Sequence, residues 1–127
     1  MEILIDTSVY LDLLGGRVAA KERLADCSRA YFSVITLGEV WSGLPSGEEA
    51  GQRKKTFQAF YEDNGIDILP VTRKTAEHYA HIFRWLKNEG TSIPANDIWI
   101  AAVAAEHGLA LATSDRHFKH IPHIQLV

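Results

Sequence analysis

The chain has 127 residues, of which 46% are hydrophobic, and its formal net charge is −3. This length suits one domain with a buried core, which we expect to cover residues 1–127. The slight negative charge argues against a protein that coats nucleic acid, although clustered acids can coexist with a basic surface. No apolar run approaches the roughly 20 residues that cross a bilayer, and no signal peptide is recognised. With one cysteine, which fits a reducing compartment, we expect a cytoplasmic protein without membrane contact.

Short apolar runs alternate with helical patterns along the chain. Strands are predicted over residues 2–5, 30–34, 66–71 and 109–112, and residues 123–127 could add an edge strand. Helices are predicted over residues 9–14, 17–28, 36–43 and 72–89, from a capping box at 46–49 to about 63, and before Gly108. This alternation predicts an α/β sandwich with a mostly parallel sheet.

Residues 98–105 form the most apolar helical stretch, with no polar side-chain atom except the indole N–H of Trp99. We expect this helix to be covered on most sides and to end at Gly108. An interior strand should follow directly, and Asp97 and Asp115 flank the whole unit. Because a helix that leads into a parallel strand runs antiparallel to it, the two carboxylates are expected on the same edge of the domain.

Two further acids belong to that edge. Asp6 ends the first predicted strand, and Glu39 lies in the first turn of the predicted helix after the second strand. Carboxylates brought together raise one another's pKa unless a cation neutralises them. All-oxygen ligands suit Mg²⁺ or Mn²⁺, and such an ion can activate water for attack on a phosphodiester. The sequence therefore predicts metal-dependent phosphodiester hydrolysis by Asp6, Glu39, Asp97 and Asp115.

Each acid also has a structural interpretation. Thr36 and Glu39 have capping-box spacing, so Glu39 could serve only to cap its helix. Asp97 is favoured by the helix dipole, and Asp115 lies in an ordinary turn sequence. Asp6 is the hardest to dismiss, because an acid directly after a buried strand is poorly placed for solvation. The convergence of all four on one edge is what favours a site.

Three segments carry a family resemblance: I-L-I-D-T-S at residues 3–8, T-L-G-E-V-W-S-G at 36–43, and the whole stretch from Pro94 to Phe118. In these segments the chain resembles the PIN-domain ribonucleases, and within them the VapC-type toxins of toxin–antitoxin pairs. The resemblance implies a three-layer α/β/α sandwich with four or five strands. It also implies an endoribonuclease toxin that depends on Mg²⁺ or Mn²⁺, a cognate antitoxin that blocks the site, and a homodimer.

The resemblance also assigns positions within this chain. Asp6, Glu39, Asp97 and Asp115 occupy the acidic metal-site positions, and Thr113 and Asn96 occupy polar positions beside them. Some relatives have a further acid two residues after the loop aspartate, where this chain has His117. The resemblance therefore leaves open whether one ion or two are bound.

Several other polar residues could contribute. His117 could contact substrate phosphate or tune the site, although a packing role competes with this interpretation. Arg116 and Lys119 flank the acidic loop and could contact RNA phosphates. The cluster Arg53–Lys55 is expected to be a charged exposed face, and Asp12 is expected to lie on the surface.

Two other functions fit parts of the pattern. A receiver-type phosphoacceptor domain has a similar size and an acidic magnesium pocket, but it requires paired acids after the first strand, where this chain has Asp6 and Thr7. A catalytically silent PIN-like module could bind a partner protein alone. The presence of all four acids argues against that module without demonstrating turnover.

Overall fold

A parallel sheet forms the centre of the computed structural model, which describes residues 1–43 and 50–127. Within these residues the sheet has four strands in the order β3-β2-β1-β4, with every neighbouring pair parallel. The strands are β1 Glu2–Ile5, β2 Arg29–Ser33, β3 Asp67–Leu69 and β4 Ala110–Ala112. The capping box predicted at residues 46–49 lies outside the described residues.

Helices cover both faces of this sheet. They are α1 Thr7–Leu14, α2 Val18–Arg23, α3 Val34–Trp41, α4 Ala50–Asp63, α5 Arg73–Asn88 and α6 Ala95–His107, with a short 3₁₀ helix η1 over Arg116–His120. No helix in the described parts of the chain is both long enough and apolar enough to cross a membrane.

The side chains of the strands alternate between two cores. Leu4 and Leu111 point to one face and pack with α5 and α6. Ile3 and Ile5 point to the other face and pack with apolar residues of α1, α2 and α4. This alternation follows from the two-residue period of a strand. The three-layer α/β/α sandwich is therefore confirmed, with a sheet of four strands in the described residues.

Helix α6 is the buried helix that the sequence predicts. Ile98 and the run from Ile100 to Ala104 are at most 3% exposed. The indole of Trp99 stacks on Tyr79 of α5, with ring centroids 4.1 Å apart. Gly108 ends the helix in the left-handed conformation, with φ of 63°. The chain can therefore turn directly into β4. The start of α6 and the end of β4 then lie on the same edge of the domain, as the sequence predicts.

Helix α3 begins earlier than predicted. Its first residue is Val34, and the Ser33 side chain caps it by accepting a hydrogen bond from the Thr36 backbone N–H at 3.3 Å. The prediction that Thr36 starts the helix is therefore wrong, and Glu39 lies in the second turn rather than the first. The capping-box interpretation of Glu39 fails with it. The sequence does not identify Ser33 as the helix cap, because a serine at this position can equally well belong to the predicted strand.

The predicted edge strand is also corrected. Residues 123–127 do not form a strand; instead they make a single parallel bridge between Leu126 and Leu111.

The basic turn 53–55 differs from its prediction as well. Arg53 is only 8% exposed, so this turn is not a uniformly exposed face. Lys54 is exposed, but its ammonium group lies 4.3 Å from the centre of the Trp41 ring. This turn is therefore partly structural.

Candidate functional site

The carboxyl ends of β1 and β4 lie side by side, and the site is built around them. β4 pairs with β1, while β2 pairs with the other side of β1, so the order of the strands reverses between β1 and β4. In open α/β sheets, ligands bind at such a reversal. The backbone N–H of Asp6 donates to the Ala112 carbonyl at 3.1 Å, which extends the pairing and brings Asp6 next to Thr113.

Asp6 is a buried carboxylate with several donors. It is 3% exposed, and its Oδ1 atom accepts hydrogen bonds from the Val9 backbone N–H at 3.0 Å and the Ser8 hydroxyl at 2.7 Å. Its Oδ2 atom accepts from the Thr113 hydroxyl. Asp6 thus caps α1 while facing the ends of β1 and β4. Each carboxylate oxygen has two lone-pair sites, so these bonds leave capacity for a cation.

Glu39 reaches the same edge from α3. Its Oε1 atom accepts a hydrogen bond from the Thr7 hydroxyl at 2.7 Å, and that hydroxyl also lies 3.2 Å from the Thr36 hydroxyl. Thr7 directly follows Asp6, so this contact ties the second turn of α3 to the end of β1. A half-buried glutamate held in this way serves the edge rather than its own helix.

Asp97, Asp115 and His117 form a compact group in which one ligand atom of each lies within 4.8 Å of the others. Nδ1 of His117 lies 3.1 Å from Oδ2 of Asp97 and 3.0 Å from Oδ1 of Asp115. Asp97 comes from the first turn of α6, and Asp115 caps η1 by accepting from the His117 backbone N–H at 2.9 Å. The structure therefore brings the two ends of the α6–β4 unit together, as the sequence predicts. It also places His117 between them.

The charges of these acids oppose one another. Burial raises the pKa of Asp97 to about 6, and the negative charge of Asp115 and, more weakly, that of Glu39 add to this increase, while His117 counteracts it. Burial also raises the pKa of Asp6, against the hydrogen bonds from Thr113, Ser8 and Val9. Asp115 contributes a further upward shift to Asp6. All four acids therefore share one electrostatic environment that favours an added positive charge.

Residues that the sequence analysis missed hold the acidic loop in place. The Ser8 hydroxyl accepts from the Ser114 backbone N–H at 3.0 Å, and Asp12 accepts from the Ser114 hydroxyl at 2.7 Å. The Arg23 guanidinium of α2 donates to the Thr113 carbonyl. Asp12 is partly exposed, in keeping with its predicted surface position, but it also holds this loop. The available signal was its spacing, since Ser8 and Asp12 are four residues apart on one face of α1.

The remaining candidates lie around the acids. Thr113 links two of them, because its hydroxyl donates to Asp6 and accepts from the Asp115 backbone N–H at 2.9 Å. Asn96 is exposed in the first turn of α6. A groove of about 360 Å³ adjoins Asp115, and its lining includes three cations: Arg23, Arg116 and Lys119.

The donor set fits a divalent cation. Asp97, Asp115 and His117 each offer one ligand atom, and these atoms lie within 4.8 Å of one another. Asp6 and Glu39 complete an oxygen-rich surface beside them. Carboxylate oxygens suit Mg²⁺ and Mn²⁺. A cation would stabilise the Asp97 carboxylate against burial and against the negative charge of Asp115, the two main causes of its raised pKa.

Comparison with known proteins gives a consistent result. The sequence matches the PIN domain family over residues 3–124. It is 33% identical to ribonuclease VapC4 of Mycobacterium tuberculosis, in an alignment that covers 98% of this chain and 94% of the relative.

Solved structures resemble the fold over almost the whole chain. A VapBC-1 structure from nontypeable Haemophilus influenzae has a TM-score of 0.86 at 25% identity, covering 100% of this chain and 97% of the other. A toxin–antitoxin complex from Klebsiella pneumoniae has a TM-score of 0.74 at 26% identity, covering 96% of this chain and 94% of the other.

The order of the strands excludes the receiver-type alternative. In a receiver domain the first strand lies between the second and the third, whereas here it lies between the second and the fourth.

Proposed function

This chain belongs to the PIN domain family, and from that membership we propose that it is an endoribonuclease and the toxin of a toxin–antitoxin pair. Its substrate is RNA in the cytoplasm, and its cofactor is Mg²⁺ or Mn²⁺. The observation that carries the proposal is the meeting of four acids at the reversal between β1 and β4. Burial, and after it the negative charge of Asp115, raise the pKa of Asp97, and a bound cation would stabilise its carboxylate against both effects.

We assign the acids different tasks. Asp97 and Asp115 would hold the ion directly, since their ligand atoms lie within 4.8 Å of each other. Asp6 would hold it directly or through water, from a position fixed by three hydrogen bonds. Glu39 would complete the shell or polarise the attacking water. When bound, the ion supplies an activated water and stabilises the charge that develops on the phosphodiester.

Polar neighbours would orient these groups. Thr113 fixes one oxygen of Asp6 and the backbone of Asp115, so that it holds two acids in one geometry. Ser8, Asp12 and Arg23 fix the backbone and hydroxyl groups of residues 113–114. We propose that Arg116 and Lys119, in the groove beside Asp115, contact RNA phosphates. Asn96, exposed beside Asp97, is available to substrate.

A cognate antitoxin is the proposed protein partner. The support comes from the similar solved structures, which include a toxin–antitoxin complex and a VapBC-1 structure. A partner that covers the acidic edge would block substrate and ion together. Inhibition by an added antitoxin should therefore be relieved by its removal and not by extra metal.

Cleavage of total RNA by the purified protein tests the proposal. We expect discrete products with Mg²⁺ or Mn²⁺, none with EDTA, and none from Asp97→Asn, whose amide keeps the shape but not the charge. Asp63→Asn is the matched control, because Asp63 is an exposed acid at the end of α4. Equal cleavage by wild type and Asp97→Asn would indicate a contaminating nuclease. No cleavage by metal-loaded wild type would favour the silent binding module.

A further inference from the structure

His117 touches two of the four acids through one ring nitrogen. Its Nδ1 atom is 3.1 Å from Asp97 Oδ2 and 3.0 Å from Asp115 Oδ1. Adjacent ligands of an octahedral ion with bonds of about 2.1 Å are themselves about 3.0 Å apart. The nitrogen is therefore spaced from both carboxylate oxygens as neighbouring ligands of one small divalent ion would be.

The local chain geometry supports this position. Asp115 and His117 are two residues apart, and the Asp115 carboxylate caps η1 by accepting from the His117 backbone N–H. That bond fixes the start of η1 and turns the imidazole back toward Asp97. The His117 side chain is 48% exposed, so the ring remains accessible to an ion from solvent.

We infer that Nδ1 of His117 is a direct ligand of the ion held by Asp97 and Asp115, and that this imidazole makes the site prefer Mn²⁺ over Mg²⁺. The inference rests on the proposed metal-dependent function and adds a nitrogen ligand and a metal preference to it. Imidazole suits transition metals, whereas Mg²⁺ favours oxygen ligands and retained water. A mixed site of two carboxylates and one imidazole therefore discriminates against Mg²⁺.

Pulsed electron paramagnetic resonance of the Mn²⁺-loaded full chain, without RNA, tests ligation directly. A coordinated imidazole produces ¹⁴N modulation of the Mn²⁺ signal, which we expect in the wild type and in His120→Gln. We expect it to disappear in His117→Gln. His120 is the matched control because it is an exposed histidine of the same 3₁₀ helix. Modulation that persists in His117→Gln, or is absent from Mn²⁺-loaded wild type, would overturn the inference.

Calorimetric titration with each metal alone measures the preference. We expect His117→Gln, which removes the imidazole without adding a carboxylate ligand, to lower the ratio of Mn²⁺ to Mg²⁺ affinity by at least about 10-fold. His120→Gln should leave the ratio unchanged. A protonated Nδ1 that only donates hydrogen bonds at the same distances would give an unchanged ratio in both variants, and that result would contradict ligation.

Asp97→Asn separates this inference from the proposed function. Suppose that Asp97→Asn strongly loses Mn²⁺ binding while replacement of His117 leaves the metal preference unchanged. That result would overturn ligation by His117 but would still support an acidic metal site. Full Mn²⁺ binding by Asp97→Asn would contradict the acidic site itself. Circular dichroism of every variant establishes that the comparison is made between folded proteins.

Discussion

Thr113 holds two of the acids through one hydroxyl, so its removal should affect both stability and activity. In Thr113→Val the Asp6 carboxylate loses a buried donor and the Asp115 backbone N–H loses its acceptor. We expect the free energy of unfolding to fall by about 1–3 kcal/mol, measured by denaturant titration. RNA cleavage should also slow, because the acids lose their fixed geometry.

Thr56→Val is the matched control for this change. The Thr56 hydroxyl accepts a long hydrogen bond of 3.4 Å from the exposed Gln52 side chain. We expect its loss to change the free energy of unfolding by no more than about 0.5 kcal/mol. Similar losses in both variants would show that the Thr113 hydroxyl has no special role.

Asp97 should make the metal-free protein less stable as the pH rises. Its pKa in the folded protein is about 6, above the ordinary value of 3.8. The folded state therefore binds the proton more tightly than the unfolded chain does, and the free energy of unfolding falls as the pH rises through that window. Asp97→Asn is uncharged at every pH, so at pH 7 without metal we expect it to be more stable than wild type by about 1–2 kcal/mol.

Thermal unfolding at pH 4 and pH 7, with and without Mn²⁺, measures this effect. The advantage of Asp97→Asn should be small at pH 4 and should reverse at pH 7 when Mn²⁺ is added, because only the wild type gains binding energy. Asp63→Asn should follow the wild type throughout. An equal difference between wild type and Asp97→Asn at both pH values would contradict the account.

The acids could be found from sequence because the order of strands and helices fixes where a residue at a strand end must lie. Their partners could not be found in the same way. Thr7 bonds Glu39 from 32 residues away, and Arg23 bonds Thr113 from 90 residues away. Such contacts depend on the packing of α1, α2 and α3, which no local pattern encodes. The position of His117 follows from the cap that Asp115 forms at the start of η1. The local sequence indicates a turn at Asp115 but not this cap.

At the scale of elements, Gly108 controls how α6 leads into β4. Its φ of 63° is costly for any residue with a Cβ atom, so Gly108→Ala should lower the free energy of unfolding by about 1–2 kcal/mol. Gly38→Ala is the matched control, since Gly38 is exposed within α3 and an added Cβ would meet nothing within 4 Å. We expect that change to stabilise the protein by about 0.5–1 kcal/mol. Denaturant titration measures the free energy of unfolding of both variants. A Gly108→Ala protein that is more stable than Gly38→Ala would contradict the prediction.

Long, strongly patterned elements were predictable, while the edges of elements were not. The apolar run of α6 and its glycine stop predict a buried helix, and the structure confirms it. α3 was misplaced because a serine at the end of an apolar strand can also be a helix cap. Residues 123–127 have an apolar pattern but contribute one bridge, since pairing with β4 depends on where η1 returns the chain.

At the scale of the whole molecule, net charge conceals a division between an acidic edge and a basic groove. Arg23, Arg116 and Lys119 line the groove beside Asp115 although the chain carries −3 overall. Lys119→Gln should weaken RNA binding and lower the slope of log affinity against log salt by about 0.7, because one phosphate contact is lost. Filter binding at several salt concentrations, in the Asp97→Asn background to prevent cleavage, measures this.

Lys74→Gln is the control for the groove. Lys74 lies in the first turn of α5, and Thr72 and Thr75 there contact Glu106 at the far end of α6 from Asp97. Its replacement should leave both the affinity and the slope unchanged. Equal weakening by Lys74→Gln and Lys119→Gln would indicate diffuse charge attraction rather than a groove.

The central claim is that the four acids at the reversal of the sheet carry out RNA cleavage together. The most direct test is the cleavage rate of one RNA, at saturating metal, by Asp6→Asn, Glu39→Gln, Asp97→Asn and Asp115→Asn, with Asp63→Asn as the control. The account predicts that each of the four lowers the rate by at least ~100-fold and that the control leaves it unchanged. Wild-type rates in folded variants of these acids would contradict the claim and move the active site elsewhere.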